Sequence, residues 1–279
     1  MEGKICAVTG ANTGIGKGIA LGLADRGARV LLVCRNQERG EVARRDIVER
    51  TGNPEVELVL ADLSALAEVR RAAAEIRARC DRLDVLVNNA AVVTTERVES
   101  VDGNEMQLAV NHLAYFLLTH ELLDLLKASA PARIVNVSAL AYRFHALDLD
   151  DLHWERRPYR GIRVYTTTKL LEVIWTFELA RRLEGSGVAV NCLHPGVVAT
   201  EIARNWGRWV QPVVRFSSLF MLSPEKGART ALHLATSPEV EGITGCYFER
   251  CRARKTTRIT HDRELAKRVW EATEELCGI

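Results

Sequence analysis

Short apolar runs alternate with longer charged segments along most of the chain. The β-branched runs fall at residues 5–8, 30–33, 56–60, 85–87, 134–137 and 188–192. Between them, residues 16–26, 37–50, 66–79, 105–127 and 165–184 carry their charges at helical spacing. Short strands separated by helices predict a parallel sheet with both faces covered. The expected fold class is therefore α/β: a single-domain, Rossmann-like, doubly wound parallel sheet of six or seven strands, flanked by helices. Its ligand crevice belongs beyond the carboxyl ends of the strands, at the topological switch.

No linker, repeat or low-complexity stretch interrupts the pattern, so residues 1–279 are read as one domain. Two regions depart from it. Residues 139–163 form a long connection rich in His, Trp and Tyr, and residues 200–224 are a strongly apolar insertion. Long irregular segments at the ligand end of a scaffold usually carry recognition.

Composition changes this picture little. Hydrophobic residues make up 47% and charged residues 27%, as in an ordinary globular chain, and the formal charge of +2 argues against a nucleic-acid footprint. The seven cysteines show neither CxxC nor metal-ligand spacing and are expected to be reduced thiols, with no metal. No secretory signal and no apolar stretch of about 18 residues is visible, so a cytoplasmic location is expected.

The chemistry starts at Thr9-Gly10-Ala11-Asn12-Thr13-Gly14-Ile15-Gly16, between the first strand and the first helix. Glycines there allow a tight turn, a close approach of phosphate and close helix–strand packing, so the segment predicts a dinucleotide site. The end of the second strand indicates which dinucleotide. Where an NAD-type fold places a carboxylate for the ribose hydroxyl, this chain has Cys34, followed by Arg35. A guanidinium can grip a 2′-phosphate, so NADP(H) is the expected cofactor. Lys17 either adds charge there or simply faces solvent. Asp62, with Leu63 after the third strand, either caps the next helix or meets the adenine amino group. Asn88-Asn89-Ala90 closes the fourth strand at the same edge and is expected to touch the cofactor.

Tyr165 and Lys169 stand four apart, on one face of a predicted helix. An ammonium beside a phenol favours phenolate, so Lys169 is expected to lower the pKa of Tyr165 and make it a proton donor or acceptor near neutrality. Tyr159 and Arg163 share that spacing, but Pro158 and Gly161 disfavour a helix there, and Arg does not deprotonate. Ser138, at the carboxyl end of a central strand, is placed either to hold a substrate oxygen or merely to close a turn. Asn111 lies inside a predicted helix, where Asn is unfavourable; it marks either a bend with a water site or a solvated position.

In this order, the glycine turn, Asn88–Ala90, Asn111, Ser138, Tyr165, Lys169 and Pro195-Gly196 resemble the short-chain dehydrogenase/reductase family. The segments Cys34-Arg35-Asn36, Val110-Asn111-His112-Leu113, Leu193-His194-Pro195-Gly196-Val197-Val198 and Ser223-Pro224-Glu225-Lys226-Gly227-Ala228 are similar to its retinol dehydrogenase-like group. The resemblance implies a catalytic tetrad of Asn111, Ser138, Tyr165 and Lys169. In that set Tyr165 exchanges the proton, Ser138 orients the oxygen, Lys169 also binds the nicotinamide ribose, and Asn111 holds a water leading to solvent. It further implies cofactor contacts from Gly10, Asn12, Thr13, Gly14, Ile15, Gly16, Asp62, Leu63, Asn88, Ala90, Pro195, Gly196, Val198 and Thr200. Ala91, Thr168 and Ala114-Tyr115 depart from the family's usual residues without removing a tetrad member. The group's frequent membrane anchor does not precede the first strand in this sequence.

In residues 200–224, Trp206, Trp209, Phe216, Phe220 and their aliphatic neighbours predict a lid over an apolar pocket. Interleaved Arg204, Arg208 and Arg215 leave shallow membrane-surface contact open, as does plain packing on the domain. Leu170, Leu171, Ile174, Trp175 and Phe177 exceed what one stripe against the sheet needs, and with the resemblance they predict a homodimer or homotetramer. The expected activity is NADP(H)-dependent interconversion of a lipophilic aldehyde or ketone and its alcohol. The alternatives are a reductase of steroid, polyketide or aromatic ketones, and a catalytically silent NADP(H)-sensing module.

Overall fold

A computed structural model describes residues 1–196 and 223–279. Strands β1 (Ile5–Thr9), β2 (Arg29–Cys34), β3 (Val56–Leu60), β4 (Val85–Asn88), β5 (Ala132–Val137), β6 (Val188–His194), β7 (Cys246–Glu249) and β8 (Arg252–Arg254) form one sheet, in the order β3-β2-β1-β4-β5-β6-β7-β8. All neighbours pair in parallel except β7 with β8. The order reverses between β1 and β4, and that gap is the switch point where a doubly wound sheet opens its crevice.

The antiparallel edge strand β8 adds to the six or seven strands expected. It follows β7 through Arg250 and Cys251, both in the left-handed region at φ 52° and 60°. Two consecutive positive φ values make the tight turn whose twist suits a hairpin. Neither residue is the Gly or Asn that would announce such a turn.

Helices α1 (Gly14–Ala24), α2 (Gln37–Thr51) and α7 (Pro224–Thr236) lie over one face of the sheet. The other face carries α3 (Leu66–Arg79), α4 (Met106–Leu108), α5 (Ala114–Ala128), α6 (Gly161–Arg182) and α8 (Arg263–Cys277). Each face has its own apolar cluster. Five of the seven cysteines are buried and all are free thiols.

Helix α8 accounts for the apolar residues of α6 on which the expected assembly was partly based. Leu170, Leu171, Ile174, Trp175 and Phe177 are all at least 95% buried within the single chain. They share a cluster with Trp270 and Cys277 of α8, and Phe177 stacks on His261 at 5.3 Å. Trp270 also packs on Phe116 at 4.9 Å, with the Arg182 guanidinium 3.8 Å from its ring centre. The surplus apolar surface of α6 is thus spent on the chain's own C-terminal helix. It no longer argues for a homodimer or homotetramer.

Candidate active site

The crevice is built from strand ends. Thr9 is 1% exposed, and its Oγ1 accepts hydrogen bonds from the backbone amides of Asn89 (2.8 Å) and Ala90 (3.0 Å). In return the Asn89 side-chain amide donates to the Thr9 carbonyl at 2.8 Å. β1 and β4 are therefore knotted together across the switch point. Nothing in the linear sequence signals that Thr9 and Asn89 meet; only the pairing of β1 with β4 brings them together.

The knot positions the glycine turn. Gly10 sits at φ +65°, and a Cβ on Gly16 would fall 2.3 Å from the Gly10 carbonyl oxygen. Only hydrogen fits there, so α1 begins hard against the end of β1. The Thr13 side chain does not cap α1, and no acidic residue stands in its first turn. The opening amides of the helix, with their partial positive charge, are left for an external anion. Asn12, Thr13, Gly14 and Ile15 are all partly exposed along this turn. A pyrophosphate group suits this cradle, which is the chemical test that a dinucleotide must pass.

The other expected cofactor residues divide by what their side chains touch. Arg35, 72% exposed, stands at the end of β2 with Nη1 3.7 Å from the Asp62 carboxylate. Asp62 accepts from the amide and the hydroxyl of Ser64 (3.0 and 2.7 Å), while α3 starts only at Leu66, after Ala65. It therefore folds the turn after β3 rather than capping α3. Lys17 pairs with Asp46 at 2.9 Å. Leu63 and Asn88 turn inward: Leu63 is core, and the Asn88 amide donates to Thr119 (3.0 Å) and Asn136 (2.9 Å). Their side chains do not reach the crevice. Ala90, Pro195 and Gly196 lie partly exposed at its rim. Val198, Thr200 and nearly all of the expected lid lie outside the described residues.

Helix α6 opens at Gly161, four residues before Tyr165, and glycine lets it start hard against Thr94, whose carbonyl oxygen a Cβ would meet at 1.7 Å. Tyr159 stays outside the helix. Its hydroxyl is tied to Thr94, Gln107 and Glu105 at 2.6, 2.9 and 2.8 Å, which is a structural role. Asn111 lies in a π-helical turn, Ala109–Leu113, between α4 and α5. Such single turns inside helices often mark functional sites. The Asn111 side chain binds the amide and carbonyl of Val92 (2.8 and 3.0 Å) and Thr168 Oγ1 (3.2 Å), holding the segment after β4 against α6.

Tyr165, Lys169 and Ser138 come together, but in an arrangement the sequence did not suggest. Lys169 Nζ lies 5.6 Å from the centre of the Tyr165 ring. It donates to the Val137 carbonyl at 3.0 Å and to the Glu172 carboxylate at 3.0 and 3.3 Å. Ser138 Oγ, 2% exposed, donates to the Lys169 carbonyl at 2.8 Å, so its proton points into α6 and not toward a substrate. The expectation of a lowered Tyr165 pKa is reversed: burial, and then the Glu172 carboxylate, push the phenol up. Glu172 carries no signal of this role in the sequence, where nothing distinguishes a helical Glu at i+3 from a solvated one.

Comparison with known proteins identifies the family. The sequence pattern of the family described as "short chain dehydrogenase" matches residues 4–211. The chain is 44% identical to Retinol dehydrogenase 13 of Homo sapiens and 41% identical to Retinol dehydrogenase 11 of the same organism, covering all of this chain and 86% and 87% of theirs. Among solved structures, an uncharacterized protein from Mycobacterium Paratuberculosis superposes with a TM-score of 0.81 at 30% identity, covering 99% of this chain and 94% of that one. A short chain dehydrogenase from Burkholderia cenocepacia J2315 in complex with NADP superposes at 0.71 with 26% identity, covering 88% and 96%. A 3-ketoacyl-(acyl-carrier-protein) reductase from Brucella melitensis complexed with NADH does so at 0.70 with 26% identity, covering 89% and 97%. The protein is an oxidoreductase of the short-chain dehydrogenase family, in its retinol dehydrogenase-like group.

Proposed function

We propose that the protein is an NADP(H)-dependent oxidoreductase interconverting a lipophilic aldehyde or ketone and its alcohol, retinal-like or aliphatic. The observation that carries this reading is the cluster of Tyr165, Lys169 and Ser138 at the carboxyl end of β5, with β4 between it and the glycine turn that ends β1. The nicotinamide supplies or accepts the hydride. Tyr165 gives its proton to the substrate oxygen in reduction and takes it back in oxidation. A phenol held in its protonated form suits the donor role. Ser138 orients the substrate oxygen once its hydroxyl turns from the Lys169 carbonyl. Lys169 holds the ribose, and Asn111 fixes the wall formed by the segment after β4.

Support for NADP(H) comes from Arg35, a guanidinium at the expected ribose position, and from the absence of a carboxylate at Cys34. Among the described residues Arg35 meets one carboxylate, Asp62, and an incoming phosphate would compete for it. Support for a lipophilic substrate comes from the apolar composition of residues 200–224 and from the names of the relatives. Surface contact with a membrane through Arg204, Arg208 and Arg215 is part of the same reading, as are a cytoplasmic location and a homo-oligomer joined elsewhere than through the buried face of α6. No helix among the described residues is long and apolar enough to cross a membrane.

The test is NADPH oxidation against a panel from short aldehydes to retinal and bulky ketones, with Tyr165→Phe as control. Turnover that rises with chain length, and is lost in Tyr165→Phe while NADPH still binds, is the expected result. Turnover with ring ketones alone would favour the steroid, polyketide or aromatic reading. Silence with intact binding would favour a sensor.

A further inference from the structure

Lys169 and Glu172 form an ion pair whose side chains are 2% and 0% exposed. An ammonium has three protons. Here Nζ donates to the Val137 carbonyl at 3.0 Å and to the single Glu172 carboxylate, whose oxygens lie at 3.0 and 3.3 Å, which leaves a proton for the ribose. Withdrawing a carboxylate from water is costly, and an isolated helix has no use for one on its buried face. Tyr165, Lys169 and Glu172 follow one another at i, i+4 and i+7, along a single face of α6.

The groups packed around the pair supply no second charge among the described residues. Tyr115 of α5 lies with its ring centre 5.6 Å from Lys169 Nζ, and its buried hydroxyl has no partner among the described residues. His112 of the π-helical turn is held neutral by burial and by Lys169. Cys192 of β6 is a buried thiol, kept protonated by its desolvation. Tyr165 itself completes the set. Burial raises the Glu172 carboxyl to about 8 while Lys169 draws it back down, so Glu172 becomes the one anion facing Lys169 as the pH passes that value.

We propose that Glu172 is the internal counter-ion of Lys169, a positioning residue that neutralises the ammonium and thereby keeps Tyr165 protonated. The proposal rests on the reading of Tyr165 as the proton-transferring group. Tyr165 then sees a compact ion pair in place of a bare cation. In reduction its O–H bond breaks and the proton passes to the carbonyl oxygen, while NADPH supplies the hydride. In oxidation the phenolate takes the alcohol proton, and NADP accepts the hydride. Glu172 sets the pH at which the enzyme passes from the first regime to the second. Burial and the Glu172 charge both push the phenol up, which agrees in sign with this role.

The test uses the full chain as wild type, Glu172→Gln and Glu172→Asp, each beside its Tyr165→Phe counterpart. Two quantities are read: the tyrosinate absorbance assigned to Tyr165 in the cofactor-free protein, and the pH profile of kcat/KM for alcohol oxidation with NADP. Glu172→Gln removes the carboxylate charge, so both transitions should move to lower pH by about one unit or more. Glu172→Asp keeps the charge but withdraws it by one methylene, so its transitions should fall between those two. A Glu172→Gln transition at the wild-type pH overturns the proposal, whatever happens to the rate. If Glu172→Gln fails to fold, an unmoved transition in Glu172→Asp overturns it equally. A wild-type enzyme silent on every substrate would instead sink the proposed function, while the absorbance titration would still decide the role of Glu172.

Discussion

Replacing Thr9 by Val keeps the shape of the side chain and removes a single oxygen. That oxygen accepts two backbone amides, Asn89 N at 2.8 Å and Ala90 N at 3.0 Å, and offers a long third bond to the Val87 carbonyl at 3.5 Å. An amide left without an acceptor costs about 1–3 kcal/mol when buried. Asn89 and Ala90 are partly exposed, so water reaches some of this site and the low end applies. The expected loss is about 2 kcal/mol, or a melting temperature lower by roughly 4–8 °C for a domain of this size. The same amides anchor the glycine turn through Asn89, so part of the order lost must be regained whenever the dinucleotide binds. NADPH affinity is expected to fall about tenfold, equivalent to about 1.4 kcal/mol. Urea unfolding and a fluorescence titration with NADPH measure the two effects. Thr9→Ser restores the oxygen and should recover most of both. A Thr9→Val protein within about 0.5 kcal/mol of wild type, or a Thr9→Ser protein equally damaged, would refute the role given to this hydroxyl.

Two further outcomes follow from other parts of the molecule. Arg35→Asp places a carboxylate beside the ribose position, next to Asp62, and should invert the NADPH/NADH preference in kcat/KM; an unchanged ratio would remove the basis of the cofactor assignment. His112 is buried with Nε2 3.0 Å from Thr273 Oγ1, and burial, followed by Lys169, lowers its pKa to about 3. Because the folded value lies below the unfolded one, its contribution to stability is complete above about pH 6.5 and is lost as pH falls toward the folded pKa. Wild type should therefore lose up to about 1.4 kcal/mol per pH unit in that window beyond what His112→Gln loses, and parallel pH–stability curves from urea unfolding would contradict this.

The sequence by itself determined the class of fold and the outline of the site. Short β-branched runs and helical charge spacing depend on neighbours a few residues away, and such short-range order survives in a linear reading. For the same reason the glycine turn and the i, i+4 pairing of Tyr165 with Lys169 are legible in the chain alone. Tertiary structure decided the rest. It showed that the apolar face of α6 is covered by α8, whose Trp270 lies about a hundred positions further along the chain. It formed the β8 hairpin at Arg250 and Cys251, where pairing with β7 overrides the usual turn residues. It turned Ser138 toward α6, and it set Glu172 against Lys169 in the buried interior. A charge's effect on a neighbour depends on burial and on the next charge beyond it, and both are products of chain segments meeting from far apart. Spacing therefore revealed that Tyr165 and Lys169 share a face, whereas packing fixed the direction in which the tyrosine's proton affinity moves.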